Sequence, residues 1–477
     1  MLGKTRRVHF IGVGGIGMSG IAELLANLGY EVTGSDQARS PLTDRLAGLG
    51  VQVDYGHRAE LVAGADVVVV SSAIRPGNPE IAEAARRGIP VIPRAEMLAE
   101  LMRLRYAVAV AGAHGKTTTS SMIALVLERA GLDPTAVIGG RLSAFGGNAR
   151  LGRGELMVVE ADESDRSFLK LFPSMAVITN IDYEHLESYG GFAELQGAFV
   201  DFANRVPFYG SVVCCADDEH LAAVLPEMTR RVTTYGLEST RADITATDVV
   251  LGPMKVTATV RRRARHSAEP LESPARLGAL TLRVPGRHNL LNALATVAVG
   301  LELGLSFEAI ASGLGDFVGA ERRFEIRGEA GGVLVVDDYG HHPTELAAVM
   351  DAARALNRRL IVAFQPHRYT RTRALLDAFG PALSGAAHVV LTDIYAAGED
   401  PIDGVSLAAL APSVERGAGC PVHVVPRLDD LPQVLADIAQ PGDVVITLGA
   451  GSIGSVPDRL LRLLRASARQ SELGGRP

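Results

Sequence analysis

Short apolar runs alternate with stretches of helical periodicity from the first residues onward, the pattern of successive βαβ units. Arg7–Ile11 reads as a strand, Ile16–Leu28 as a helix, and Glu31–Thr33 and Asp66–Ser71 as further strands. A helical stretch around Glu80–Arg87 then leads to Pro90-Val91-Ile92-Pro93. A second alternating block opens at Tyr106–Val110, passes through Leu156–Val159 and Ala176–Ile178, and ends near residue 320. The third opens at Val333–Val336 and contains Leu360–Phe364, His388–Leu391 and Val444–Leu448. Strands that alternate with helices predict mainly parallel sheets covered on both faces. The expected architecture is therefore α/β in three domains, 1–105, 106–322 and 323–477, which suits 477 residues at roughly 150 per domain.

Residues 240–284 break the alternation and read as strands, with Arg261-Arg262-Arg263-Ala264-Arg265 between them. That arginine run could grasp an anion, but a solvated hairpin loop is the preferred reading. The tail beyond Arg465 is polar and is expected to fray.

Composition narrows the class. Hydrophobic residues make up 47% and charged residues 21%, the balance of a folded domain rather than a disordered chain. A net charge of −7 argues against a nucleic-acid partner, because phosphate binding needs a positive surface. No run approaches the roughly 18 apolar residues of a membrane span, and the start reads straight into a strand rather than as a signal peptide. Cys214, Cys215 and Cys420 form neither a disulfide framework nor a CxxC site. A cytoplasmic enzyme, monomeric or weakly dimeric, is expected.

Gly12-Val13-Gly14-Gly15-Ile16-Gly17 follows the first strand and opens a helix. Such glycines let a pyrophosphate approach the backbone at a helix N-terminus, and Asp36, at the end of the next strand, could accept from a ribose or base. NAD and a UDP-linked substrate would be served equally well. Gly449-Ala450-Gly451-Ser452-Ile453-Gly454 matches the same pattern, and there a packing turn is slightly favoured over a ligand site.

Gly112-Ala113-His114-Gly115-Lys116-Thr117-Thr118-Thr119 is the sharper signal. Its amides can form an anion nest, its lysine can reach terminal phosphates and its hydroxyl can hold Mg²⁺. With only four lysines beside 43 arginines, a lysine inside this turn is no accident of abundance. Glu160-Ala161-Asp162-Glu163-Ser164-Asp165 places four carboxylates beyond a hydrophobic strand, fit for a hard cation or for a solvated loop. Another strand ends at Thr179-Asn180-Ile181-Asp182-Tyr183-Glu184-His185, which brings His185 to the same sheet edge. In the third block, Asp337-Asp338-Tyr339-Gly340-His341-His342-Pro343 closes a strand. The next strand leads to His367-Arg368-Tyr369-Thr370-Arg371, whose cations suit a small carboxylate or a structural salt bridge.

Together these segments resemble the Mur ligases over essentially the whole chain: GVGGIGMSG, SSAI…NPE at 71–80, GAHGKTTT, EADESDRSF, NIDYEHL, GRHNLLNALA, DDYGHHPTE and FQPHRYTRT in order. The resemblance implies a Rossmann-like N-terminal domain for a UDP-sugar, a central P-loop ATPase-type domain and a Rossmann-like C-terminal domain that brings the amino acid. It implies that Gly12, Gly14, Gly15, Gly17, Asp36 and Ser71 meet the UDP-sugar. ATP phosphates would be held by Gly112, Ala113, His114, Gly115, Lys116, Thr117 and Thr118. Thr117 and Glu160 would ligate one Mg²⁺ and His185 a second; His288 and Asn289 would contact adenine, and Asp337 or Asp338 its ribose. Tyr339, His341, His367, Arg368 and Arg371 would line an L-alanine pocket, with His341 or His367 as base. Relatives that place a carbamylated lysine after this histidine have no counterpart here, where Phe199 and Val200 stand; that fits the alanine-adding branch, which acts on UDP-N-acetylmuramate through an acyl phosphate. The rivals are a tripeptide-recycling member of the family, an NAD-dependent dehydrogenase, and a nucleotide-binding regulator or motor.

Overall fold

The apolar runs become the buried strands of three sheets in a computed structural model that describes residues 3–71, 73–75, 77–142, 147–263 and 274–474. The first sheet contains β1 (Arg7–Ile11), β2 (Glu31–Asp36), β3 (Gln52–Tyr55), β4 (Val67–Val70) and β5 (Val91–Pro93), in the order β3-β2-β1-β4-β5. Every pairing in it is parallel. Val8, Phe10 and Ile11 are wholly buried, as a strand covered on both faces requires. The order reverses between β1 and β4, and ligands of open α/β sheets bind beyond the carboxyl ends of strands at such a switch point. Strand β2 runs to Asp36, three residues past the expected Thr33, and so carries Asp36 itself to that edge.

Ten strands form the second sheet: β6 (Tyr106–Ala111), β7 (Thr135–Leu142), β8 (Gly147–Arg150), β9 (Leu156–Glu160), β10 (Met175–Ile178), β11 (Ser211–Cys215), β12 (Val232–Tyr235), β13 (Ile244–Leu251), β14 (Val256–Arg262) and β15 (Ala275–Leu282). Their order is β15-β14-β13-β12-β11-β10-β6-β9-β7-β8. The central β6 pairs in parallel with β9 and β10, so the turns after these three strands open on one edge. Of the arginine run, Arg261 lies in β14 and donates to Thr247 Oγ1 at 3.1 Å and to the Pro274 carbonyl at 3.2 Å. Arg263 donates to the Thr240 carbonyl. These bonds serve the sheet itself; Ala264 and Arg265, with the rest of the expected loop to 273, lie outside the described residues.

The third sheet is β16 (Glu325–Ala330), β17 (Val333–Asp338), β18 (Leu360–Phe364), β19 (His388–Leu391), β20 (Val422–Val424) and β21 (Val444–Leu448), ordered β16-β17-β21-β18-β19-β20. Only β16 runs antiparallel among these pairings. Apolar clusters cover both faces, one around Phe364, Phe379 and Leu410, the other around Ile361, Leu435 and Leu460.

Two compact units result: Met1–Val249 with Ala258–Thr281 and Leu291–Phe317, and Val250–Thr257 with Leu282–Leu290 and Val318–Pro477. The first holds β1–β5 and the P-loop sheet; the second holds β16–β21. The tail expected to fray instead continues the last helix, Val456–Gly474. Its alanines, arginines, glutamine and glutamate are good helix formers, so polarity alone did not end it. Among the described residues no helix is long and apolar enough to cross a membrane.

Candidate active site

The first glycine turn sits at the carboxyl end of β1, where Gly12 N–H and Val13 N–H both donate to the Ser35 carbonyl of β2. Gly12 has φ +80°, a conformation that costs a side-chain-bearing residue and not glycine. Asp36 is placed at the turn: its Oδ2 accepts from Gly14 N–H at 2.8 Å, and its Oδ1 from Gln37 N–H at 2.8 Å. A Cβ on Gly14 would lie 2.9 Å from that carboxylate, and one on Gly17 would lie 2.6 Å from Arg94 Nη1. Arg94 also approaches Asp162 Oδ2 at 3.9 Å, which links this turn to the acidic loop after β9. Ser71 follows β4 on the same edge. Beneath lies Glu80 of the NPE segment, wholly buried and bonded to His9 at 2.7 Å, Ser35 at 2.9 Å and His57 at 2.9 Å.

The P-loop turn follows β6 and opens helix Lys116–Arg129. Gly115 caps the helix in the left-handed conformation, φ +82°, and no side chain caps the first amides, which remain available to an anion. The turn after strand β10 braces the loop from beside it. His114 N–H donates to Asn180 Oδ1 at 2.8 Å, Thr179 Oγ1 donates to the His114 carbonyl at 2.6 Å, and the His114 ring meets Asp182 Oδ2 at 2.8 Å. Lys116 Nζ donates to the carbonyls of Gly112 (2.6 Å) and Ala113 (3.1 Å) and to Glu163 Oε1 (2.7 Å). Burial opposes the ammonium charge, but the attraction and hydrogen bond of Glu163 outweigh it and hold the lysine above its ordinary range. Thr117 Oγ1 donates to Glu160 Oε1 at 3.0 Å, and Glu160 Oε2 accepts from Gly139 N–H at 2.7 Å. A hydroxyl and a carboxylate side by side at a helix start are oxygen donors that fit Mg²⁺. Thr118 is buried within the helix. His185 has φ +57° and its ring lies 3.8 Å from Glu187; burial raises the Glu163 carboxyl above its ordinary range, with Lys116 and His185 opposing that rise.

In the second unit, Asp337 is wholly buried, accepting from Arg322 Nε at 2.7 Å and Thr447 Oγ1 at 2.6 Å. Asp338 accepts from Phe324 N–H at 2.7 Å and Gly340 N–H at 2.6 Å, and burial pushes its carboxyl up to about 6. Both expected ribose ligands are thus turned inward as braces. Tyr339, His341 and His367 come together: successive ring centroids are 5.7 Å and 5.3 Å apart, and His367 stacks on Tyr395 at 5.5 Å. His367 Nδ1 lies 3.3 Å from Arg371 Nη1. Arg368, at φ +69°, is 3.9 Å from Glu399, which also binds Thr370 N–H and Oγ1 at 3.0 Å and 2.6 Å. Glu345 Oε2 lies 3.3 Å from His341 Nδ1.

The second glycine turn serves this cluster as packing. A Cβ on Gly451 would fall 2.5 Å from Tyr395 Cγ, one on Gly454 2.6 Å from Arg322 Cζ, and Gln365 Oε1 accepts from Ile453 N–H at 3.0 Å. Gly451→Ala is expected to push Tyr395 off His367 and raise the KM for the amino acid by about tenfold, the usual scale of one overpacked contact; the KM for ATP should not change. Initial rates against each substrate check this.

Asn289 Nδ2 donates to the Pro285 carbonyl at 2.7 Å, beside His288. Burial, with Arg323 adding to it, pushes His288 down from 6.5 to about 4. A histidine depressed in the folded state supports the fold fully above its unfolded pKa, and that support is lost as pH falls from 6.5 towards 4. Urea midpoints across this window should therefore fall, and His288→Gln should flatten the slope; an equal slope in both proteins would count against it.

Glu163, Asn180, Arg322, Tyr395 and Glu399 escaped the sequence reading as individual site residues. The first two lie inside motifs already singled out. The other three carry no local signal, because long-range packing brings them to the site.

Three family models tile the chain: Mur ligase family, catalytic domain, at 7–106; Mur ligase middle domain at 110–300; and Mur ligase, glutamate ligase domain, at 322–451. A UDP-N-acetylmuramate–L-alanine ligase of Geobacter sp. (strain M21) is 52% identical over 98% of this chain and 99% of its own. The chain belongs to the Mur ligase family. A second Mur ligase with the same name, from Geobacter sulfurreducens, is 51% identical over 99% of this chain and all of its own. The solved UDP-N-acetylmuramate–alanine ligase of Thermotoga maritima superposes with a TM-score of 0.79 at 29% identity, covering 97% of this chain and 99% of that one. The α/β fold in three domains is thus the fold of this family, with the mainly parallel sheets that the βαβ pattern predicted.

Proposed function

We propose that this protein joins L-alanine to the lactyl carboxylate of UDP-N-acetylmuramate, with ATP converted to ADP and phosphate, as a step of peptidoglycan precursor synthesis. What carries the reading is the Lys116 turn beside the Glu160 carboxylate, which a dehydrogenase would leave idle, together with the His367–Arg371 cluster, which a nucleotide-driven motor would not need, on a chain alike from end to end to alanine ligases. The same whole-length likeness disfavours the tripeptide-recycling alternative. Two of the substrates are nucleotides of the cytoplasm, where we place the protein, as a monomer or weak homodimer.

A carboxylate is a poor acyl donor and must first be activated. A lactyl oxygen attacks the γ-phosphorus, the bond to ADP breaks, and an acyl phosphate forms. Lys116 and the uncapped amides that open its helix hold and neutralise the transferring phosphoryl group, which is mostly a matter of position and charge, while the Ala113 and His114 N–H groups are already given to Asn180. Thr117 and Glu160 would hold one Mg²⁺ and His185 a second, ions that neutralise phosphate oxygens when bound. His288 and Asn289 would meet adenine; a ribose contact from Asp337 or Asp338 would cost one of their present bonds. The glycine turn at 12–17, with Asp36 and Ser71, would hold the UDP-sugar. Arg368 and Arg371 hold the alanine carboxylate beside Tyr339. Its free amine, relieved of a proton by His341 or His367, attacks the acyl carbon and expels phosphate.

Phosphate release with ATP and Mg²⁺ tests this directly. It should need UDP-N-acetylmuramate and L-alanine together; release indifferent to both would point to a motor or regulator, and turnover with tripeptide in place of alanine to the recycling enzyme.

A further inference from the structure

Glu163 lies three residues beyond Glu160 and is only 3% exposed. One oxygen accepts from Lys116 at 2.7 Å; the other, Oε2, is buried and has no hydrogen-bond partner among the described residues. A buried carboxylate oxygen left unsatisfied is costly, and native folds rarely retain one without a use.

Lys116 has three protons, and all three are engaged, by two loop carbonyls and Glu163. To grip a phosphate it must give up at least one of them. Departure from Glu163 would leave a buried carboxylate without its lysine, which the interior tolerates badly. The turn that begins at His185 is tethered to the acidic loop: Tyr189 OH donates to the Glu163 carbonyl at 2.6 Å and Ser188 Oγ to the Ser164 carbonyl at 2.6 Å. The carbamylated lysine of relatives cannot be replaced from its own place in the chain. Phe199 and Val200 are buried there, Phe199 packed edge-on against Phe168 at 5.2 Å.

We infer that Glu163 is the carboxylate ligand of a second divalent cation beside His185, taken up when Lys116 turns from Glu163 to a bound phosphate. In the phosphate-free protein the lysine occupies the place of that ion, so Glu163 has a cation beside it in either state. The inference rests on the proposed roles of Lys116 and His185.

Mn²⁺ is a suitable probe, counted by electron paramagnetic resonance on the full-length protein with a non-hydrolysable ATP analogue. Wild type should bind two ions. Glu163→Gln should weaken the second at least tenfold, Glu163→Asp several-fold, and His185→Ala should weaken it as well, while the first ion, at Thr117 and Glu160, keeps its affinity within about threefold. Two ions held with unchanged affinity by both Glu163 variants, beside a His185→Ala protein that loses one, would overturn the role of Glu163 alone. A wild type that binds a single ion would overturn the two-metal reading together with it. Glu163→Asp keeps the charge, so the test survives if the glutamine variant does not fold.

Discussion

Lys116→Ala is expected to lower kcat/KM by on the order of 10³-fold, the scale seen when a preorganised charge at a transferring phosphoryl group is lost. The loop amides at the start of helix Lys116–Arg129 would still bind a nucleotide weakly, so the loss should fall on turnover more than on ATP binding. Stability should suffer too, for a separate reason. Lys116 is the hydrogen-bonded partner of Glu163, whose side chain is 3% exposed, and removal of one member of a buried pair costs about 3–5 kcal/mol. The Tm should therefore drop, and the double variant Lys116→Ala/Glu163→Gln should recover most of it without regaining turnover. Calorimetry beside a phosphate-release assay separates the two effects. Near-normal turnover in the single variant would remove the phosphate role; an unchanged Tm would mean that the ion pair is not formed.

Arg371→Ala should raise the KM for L-alanine by about 100-fold and leave those for ATP and UDP-N-acetylmuramate within about twofold. The size follows from the loss of a charge-assisted hydrogen bond worth roughly 1.5–3 kcal/mol. The selectivity follows from position: Arg371 sits in the short helix Tyr369–Ala374, against His367, far along the chain from the P-loop turn and from the first glycine turn. Arg368, held near Glu399, should retain part of the carboxylate affinity, so Arg368→Ala/Arg371→Ala should lose more than either change alone. Initial rates with each substrate varied in turn decide it. An unchanged alanine KM would place the amino acid elsewhere.

Much of the site was legible because its chemistry sits at strand ends, where the local pattern says both what the residue is and where it points. Gly112–Thr119 after β6, Glu160 at the end of β9 and His185 beyond β10 follow from one rule about the carboxyl edge of a parallel sheet. The pairing of side chains was not legible in the same way. The spacing of Glu160, Asp162, Glu163 and Asp165 does not say which carboxylate meets Lys116; the loop's fold selects Glu163 and leaves Glu160 to Thr117. Asp337 and Asp338 close a strand just as a ligand-binding pair would, yet Arg322, Thr447, Phe324 and Gly340 turn both inward.

The two glycine turns show the same division most plainly. Read locally, Gly12–Gly17 and Gly449–Gly454 are alike, since each follows a strand and leads into helical backbone. Their surroundings separate them: the first is closed by Asp36 at the edge of its sheet, while the second is packed against Gln365, Tyr395 and Arg322. Hydrophobic periodicity and turn chemistry act over a few residues, so the sequence by itself determined the strands, the phosphate-type turns and the residue types at their ends. Which of those ends is filled by packing depends on strand order and on groups more than a hundred residues away, such as Arg322 bonded to the Gly449 carbonyl at 2.7 Å, and only the tertiary structure decided that.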